Sequence, residues 1–313
     1  MQSPTDPSQF FQERDLLEIE APAVPADFEA YWRSRYLTAI QQHPRPEIRH
    51  TGRQQNGFEV YDLQFQSTDG VSIGGWVTIP TSHPVRRVLI VGHGYGGCPE
   101  PGDNLPLRDA AYVWPCLRGL GRSAMDGVPQ DPYYHVQFNL DDRDSYILGG
   151  CVEDLWLAVS VAEKLFPASR NRIGLMGISF SGGIGVLAAA WDDRVRMLHV
   201  EVPTFGNHEL RMTLPSWGSA KALQDFSRQH PDVLKTLSWF DAAIAAQFVQ
   251  VPTHVAAALH DPFVAPPGQF AIYNALNCER DLFVLEQGHS EYANQETQQQ
   301  ELLEKLKGLF SKL

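Results

Sequence analysis

The segment Arg172-Ile-Gly-Leu-Met-Gly177-Ile-Ser179-Phe-Ser181-Gly-Gly183 puts hydroxyl groups where one could become a nucleophile. A short apolar run reads as a strand, and the small residues from Gly183 to Ala190 read as a helix. The serine falls at the sharp turn between them. Such a turn holds its hydroxyl exposed above a sheet, and its strained backbone requires tiny flanking residues. The usual pattern is G-x-S-x-G. Gly177 fits its first position, whereas Ser181 stands in place of the second glycine. Two registers are therefore open, with Ser179 or Ser181 as nucleophile. Ser179 is preferred, because it keeps glycine at the first position and follows the strand directly. The plainer alternative is that these small residues only allow a helix to pack closely on a strand.

A serine hydroxyl is a weak nucleophile until a neighbouring base takes its proton. The run Thr253 to Leu259 ends in His260-Asp261-Pro-Phe-Val-Ala-Pro-Pro, and the run Asp281 to Glu286 ends in Gln287-Gly288-His289-Ser290-Glu291. Asp261 and His289 thus stand at carboxyl ends of predicted strands, where ligands bind in open α/β sheets. Their chain order, serine then acid then histidine, suits a triad in which the carboxylate fixes the imidazole tautomer. The chain has 11 histidines, most of which need only surface or packing roles. Order and position together single out His289. His260 adjoins Asp261 in sequence and so points elsewhere.

The run Val88-Leu-Ile-Val-Gly92-His93-Gly94-Tyr95-Gly96-Gly97 matches G-x-G-x-x-G after a strand. A dinucleotide site needs a helix to start at once, so that its N-terminus meets the pyrophosphate. Here Cys98-Pro99-Glu100-Pro101-Gly102 follows, and the next strand ends in Leu117-Arg118-Gly119 with no acidic residue. Both features argue against NAD. A His-Gly-aromatic-Gly loop instead suits an oxyanion hole, offering the backbone N–H of Tyr95 beside that of Phe180. His93 reads as structural. No cofactor and no metal is expected.

These residues need a scaffold. Tyr61 to Gln66 and Val71 to Ile79 alternate apolar and polar around Ser67-Thr-Asp69-Gly70, which predicts an antiparallel hairpin. Six short apolar runs follow between helical stretches, at Arg87–Val91, Ala111–Leu117, Arg172–Met176, Val195–Val202, His254–Leu259 and Leu282–Leu285. Runs of that kind are buried parallel strands. The expectation is one α/β-hydrolase domain over residues 1–313, with helices on both faces of a mostly parallel eight-stranded sheet. Residues 1–56 are expected to form a helical extension packed on the body by Phe28, Tyr31, Trp32 and Tyr36.

Composition narrows the partners. The 313 residues are 43% hydrophobic, and 25 Lys and Arg face 37 Asp and Glu for a formal charge of −12. With no basic stripe, phosphate neutralisation is not available, so nucleic acid is not an expected partner. A neutral substrate fits better. The opening MQSPTDPSQFFQERD lacks the basic and apolar regions of a secretory signal, and no apolar run is long enough to span a bilayer. Cys98, Cys116, Cys151 and Cys278 form no CxxC pair and read as reduced. A cytoplasmic location is expected.

Taken together, the motifs resemble the acetyl xylan esterase / cephalosporin C deacetylase family over most of the chain. Pro25-Ala-Asp-Phe28-Glu-Ala-Tyr31-Trp32, Ile73-Gly-Gly-Trp76-Val-Thr-Ile-Pro80, His93-Gly-Tyr95 and Leu117-Arg118-Gly119 carry the likeness. Glu201-Val-Pro203, Leu237-Ser-Trp239-Phe-Asp241, Asp261 with Pro266-Pro267, and Gly288-His289 continue it in order. The resemblance implies removal of O-acetyl groups from xylo-oligosaccharides and cephalosporin C without a cofactor, in a hexamer. One departure stands out: where the family has Gly-x-Ser-Gln-Gly-Gly, this chain has Phe180 and Ser181 for Gln and Gly. The bulk of Phe180 is expected to narrow the acyl site. The competing readings are a general short-chain carboxylesterase or dipeptidyl-peptidase-like hydrolase on the same fold, and a catalytically dead binding protein. The intact Ser179, Asp261 and His289 set argues against the last.

Overall fold

A computed structural model describes residues 11–313. Residues 1–10, part of the opening stretch read above for a secretory signal, lie outside the described residues. Among the described residues nine strands form one sheet: β1 (Glu47–Gln55), β2 (Phe58–Gln66), β3 (Ser72–Pro80), β4 (Arg87–Gly92), β5 (Ala110–Pro115), β6 (Ile173–Ile178), β7 (Val195–Glu201), β8 (Thr253–His260) and β9 (Arg280–Gln287). Their spatial order is β1-β2-β3-β5-β4-β6-β7-β8-β9. The first three pair antiparallel, as does β3 with β5, while β5 through β9 are parallel neighbours. Between β2 and β3 the chain turns through Asp69 and Gly70, both at positive φ.

The expected sheet of eight strands is therefore corrected to nine, and the expected helical extension over 1–56 stops short of β1. The sequence Glu-Ile-Arg-His-Thr-Gly-Arg-Gln-Gln shows no apolar alternation because β1 is an edge strand, exposed along nearly its whole length. It is held by backbone pairing with β2, by Thr51 Oγ1 donating to the Val60 carbonyl at 2.7 Å, and by Arg49 against Asp62 at 3.1 Å. A register shift between His50 and Arg53 surrounds Gly52 at φ 80°, which bends the edge and blunts it against further pairing. Upstream, the helix Phe28–Ala39 buries Phe28 and Trp32 as expected, and Trp32 Nε1 donates to the Trp239 carbonyl at 2.9 Å.

Alternation along the central strands feeds two cores. Leu175 faces the one shared with the helices Ile147–Leu165 and Phe180–Ala189. Its neighbour Met176 faces the other, where Leu302, Leu306 and Phe310 of the helix Gln295–Phe310 pack. Burying both faces makes these strands read as continuous apolar runs. Since β4, β6, β8 and β9 run in one direction, the loops after all four emerge at the same edge. Among the described residues no helix is long and apolar enough to cross a membrane. The four cysteines are unbridged.

Candidate active site

Ser179 occupies the turn between β6 and the helix Phe180–Ala189, with φ 51° and ψ −109°. This backbone is strained for a residue with a Cβ, and it is kept because the turn is wedged on every side. A Cβ on Gly177 would lie 2.2 Å from the Ser181 carbonyl oxygen, and one on Gly183 would lie 2.1 Å from that of Thr204. Only glycine fits either place. Ser181, which replaces the usual glycine, finds its room elsewhere: a Cβ on Gly92 would fall 2.5 Å from the Ser181 Cβ. The extra side chain is accommodated by a missing one on β4.

The turn aims the Ser179 hydroxyl at His289, whose Nε2 lies 2.9 Å away. His289 follows β9 with φ 53°, and its Nδ1 stands 2.7 Å from Asp261 Oδ2. With Nδ1–H donating to that carboxylate, Nε2 is left as acceptor for the hydroxyl proton. Asp261 is fully buried after β8. Its Oδ1 accepts the backbone N–H groups of Phe263 and Val264, each at 2.9 Å, and its Oδ2 also accepts from Gln269 Nε2 at 3.2 Å. Three donors besides His289 satisfy the buried carboxylate and fix its direction. A Cβ on Gly288 would meet Asp261 Oδ2 at 2.4 Å, so glycine is required where the β9 loop crosses the carboxylate. His260, by contrast, is exposed.

The other serine of the motif is used differently. Ser181 is fully buried, and its Oγ donates to the His93 carbonyl at 2.6 Å. His93 in turn accepts the Leu117 N–H at Nε2, 2.9 Å away, and burial lowers its pKa, which keeps the ring neutral for that role. The loop after β4 is thereby tied to the helix behind Ser179 and to the end of β5. This loop carries Tyr95, and Phe180 opens the helix, where a backbone N–H has no intrahelical partner. The Phe180 ring is fully buried, 4.2 Å from the Tyr95 ring and edge-on to His135 and Phe205. The expectation that Phe180 narrows the acyl site by its own bulk is thus corrected: its ring backs Tyr95 instead.

Sequence reasoning missed Gln269, and it named Gly288 only within the Gly288-His289 likeness, without its steric role. Gln269 lies in the helix Pro266–Ala275, where its Oε1 accepts the Ala258 N–H at 2.8 Å and its Nε2 donates to Asp261 and, at 2.6 Å, to the Val264 carbonyl. Nothing in its own sequence neighbourhood distinguishes it from a surface glutamine.

This arrangement has counterparts in known proteins. The sequence matches acetyl xylan esterase (AXE1) over residues 19–307. The chain belongs to the acetyl xylan esterase family. It is a carboxylic-ester hydrolase of the serine type, on an α/β-hydrolase fold. Among solved structures it resembles the acetyl xylan esterase from Paenibacillus sp. R4, with TM-score 0.82 and 21% identity over 94% of this chain and 99% of that one. Acetyl xylan esterase 1 from Thermoanaerobacterium sp. JW/SL YS485 gives 0.79 and 21% over 95% and 99%. An acylaminoacyl peptidase from Pyrococcus horikoshii shares the sheet at TM-score 0.62 and 16% identity, over 82% of this chain and 42% of that one. At such identities these likenesses establish the common fold of an acetyl xylan esterase family member and no more.

Proposed function

We propose that this acetyl xylan esterase family member removes acetyl groups from acetylated xylo-oligosaccharides and from cephalosporin C through an acyl-enzyme. The observation that carries the reading is the hydrogen-bonded series from Asp261 through His289 to Ser179, at 2.7 and 2.9 Å. His289 Nε2 takes the proton of Ser179 Oγ as that oxygen attacks the acetyl carbonyl. The carbonyl oxygen becomes an oxyanion facing the N–H groups of Tyr95 and Phe180. As the C–O bond of the ester breaks, His289 gives its proton to the leaving alcohol. Water, deprotonated by the same nitrogen, then attacks the acetyl-serine, and acetate departs with Ser179 reprotonated. Asp261 holds the imidazole in place and stabilises the imidazolium in both halves. We also propose that the protein works in the cytoplasm as a homo-oligomer, a hexamer by family likeness, on a small acetylated saccharide or similar ester substrate and without a cofactor.

The test is a panel of acetylated xylan, cephalosporin C and p-nitrophenyl esters from acetate to octanoate, run beside Ser179→Ala. Deacetylation of the first two, lost in the variant, is expected. A rate that rises toward the longer chains leaves a general carboxylesterase instead.

A further inference from the structure

Phe263 follows Asp261 by two residues, in the loop between β8 and the helix Pro266–Ala275. It is 43% exposed, and Ile178, the residue before Ser179, is 41% exposed. Single exposed apolar side chains are ordinary on a protein surface. What sets Phe263 apart is how firmly its loop is fixed. Its own N–H donates to Asp261 Oδ1 at 2.9 Å. Pro262 before it locks one backbone dihedral, and the Pro262 carbonyl accepts the Trp217 N–H at 3.0 Å. The carboxylate that orients His289 therefore also anchors Phe263.

The ring itself stands between two further groups. Its centre lies 5.7 Å from that of the His289 imidazole, with the planes tilted at 46°. It also adjoins Gly218, at φ 59°, where a Cβ would come within 3.3 Å of the ring. The left-handed backbone there favours glycine, and the missing side chain leaves the ring its room. So held, the ring does not tuck into the core, and nearly half of the residue stays open. Burying an aromatic ring is among the larger apolar contributions available to a fold. Here that contribution is forgone beside the group that transfers the proton.

The proposed reaction says what meets this ring. His289 Nε2 hands its proton to the leaving alcohol, so that oxygen passes within one hydrogen bond, about 3 Å, of the imidazole. A ring carried on the same oxygen comes within van der Waals reach of Phe263, whose ring neighbours that imidazole. An aromatic face is apolar and electron-rich, so it suits the weakly positive C–H groups of a saturated ring and asks for no charge on the substrate. We propose that Phe263 is a specificity-determining residue, its open ring being the platform on which a ring borne by the alcohol half of the substrate packs. Two sources share that chemistry, a pyranose and the fused ring system of a cephalosporin. The inference rests on the proposed function for the step at His289.

The test compares four acetate esters on the full-length protein: ethyl acetate, whose alcohol has no ring, cyclohexyl acetate, acetylated xylobiose and cephalosporin C. The readout is kcat/KM for each ring-bearing ester divided by that for ethyl acetate. Phe263→Ala is expected to lower this ratio by about three- to tenfold, the worth of a good aromatic contact. The loss should fall mainly on KM, since the platform holds the alcohol both before and during the step. Phe263→Tyr, which keeps the ring, should keep the ratio. A fall with acetylated xylobiose but not cephalosporin C assigns the pyranose, and the reverse assigns the fused ring. A ratio unchanged in Phe263→Ala for every ring-bearing ester overturns the proposal, whether no rate falls or all four fall together; in the second case the ring only props His289. Failure of the proposed function shows separately, as a wild type that cleaves cyclohexyl acetate but neither acetylated xylobiose nor cephalosporin C. The cyclohexyl ratio then still decides the platform.

Discussion

Ser181 Oγ donates to the main-chain carbonyl of His93 at 2.6 Å, joining the helix behind Ser179 to the loop that bears Tyr95. That bond needs a buried hydroxyl at a position where the family has glycine. It assigns the two serines of the motif to different tasks. Ser179→Ala is expected to lower kcat by about 10⁶-fold while the fold survives. Ser181→Ala is expected to lose about 1 kcal/mol of stability, the worth of one neutral hydrogen bond, and to keep kcat/KM within about tenfold. Parallel esterase assays and melting curves decide it. An inactive Ser181→Ala beside an active Ser179→Ala would move the nucleophile.

Asp261 is the expected partner of His289, and Glu286 is not. Glu286 is exposed and accepts from Asn294 Nδ2 at 2.7 Å, away from the imidazole. Asp261→Asn should cut kcat by about 10⁴-fold by favouring the wrong imidazole tautomer, and Glu286→Gln should leave it nearly unchanged. Gly288→Ala makes a finer test. Its new Cβ collides with the Asp261 carboxylate, so Asp261 and His289 must part. A displacement of about 1 Å costs about 10²-fold in rate. Steady-state kinetics of the three variants would rank Asp261→Asn lowest, Gly288→Ala between, and Glu286→Gln highest.

Selectivity for short acyl groups is expected to follow from the Tyr95–Phe180 contact. Phe180 is enclosed by His93, Tyr95, His135 and Phe205, so Tyr95 has no room to retreat. Each added methylene could gain about 0.8 kcal/mol from burial in a roomy apolar pocket. Against a wall that cannot yield it instead brings strain of about 1–3 kcal/mol. Strain outweighs the burial gain, so kcat/KM for p-nitrophenyl esters should fall from acetate to butyrate. Phe180→Ala, which removes the backing, should flatten that slope and lower the melting temperature by the loss of a buried aromatic ring, about 3–5 kcal/mol.

Stability should fall with acid before the carboxylates titrate. Burial holds His135 and His254 down to about 4 and His208 to about 3, and lowers His93 and His199 as well. A histidine depressed in the folded state binds its proton only after unfolding, so the unfolded chain gains protons first as pH falls below about 6.5. The stabilisation is complete above that pH and is lost progressively toward about pH 4. Asp241, raised by burial to about 6, acts in the opposite sense as a single group. Melting temperature against pH is the measurement. A profile flat from about pH 7 to 4.5 would mean that these rings take up protons without unfolding.

How far the sequence reached can be judged from particular residues. The turn at Ser179 and the loop positions of Asp261 and His289 were legible because local chemistry marks each of them. A strained turn needs glycine at 177, and buried parallel strands show as apolar runs whose ends locate the loops. The chain order of the three then follows from the order of the strands. The strand β1 was not legible, since an edge strand facing solvent carries no alternation and is held by pairing with residues that follow it. Nor was the choice between Ser179 and Ser181 settled by the motif. It depends on where His93 and His289 lie, at separations of 88 and 110 residues. Gln269 and Gly288 belong to the same class. Their roles are set by what stands across a few ångströms of folded space, the Asp261 carboxylate. Sequence periodicity records which face of an element is buried; it does not record the partner met there, and that only the tertiary structure decided.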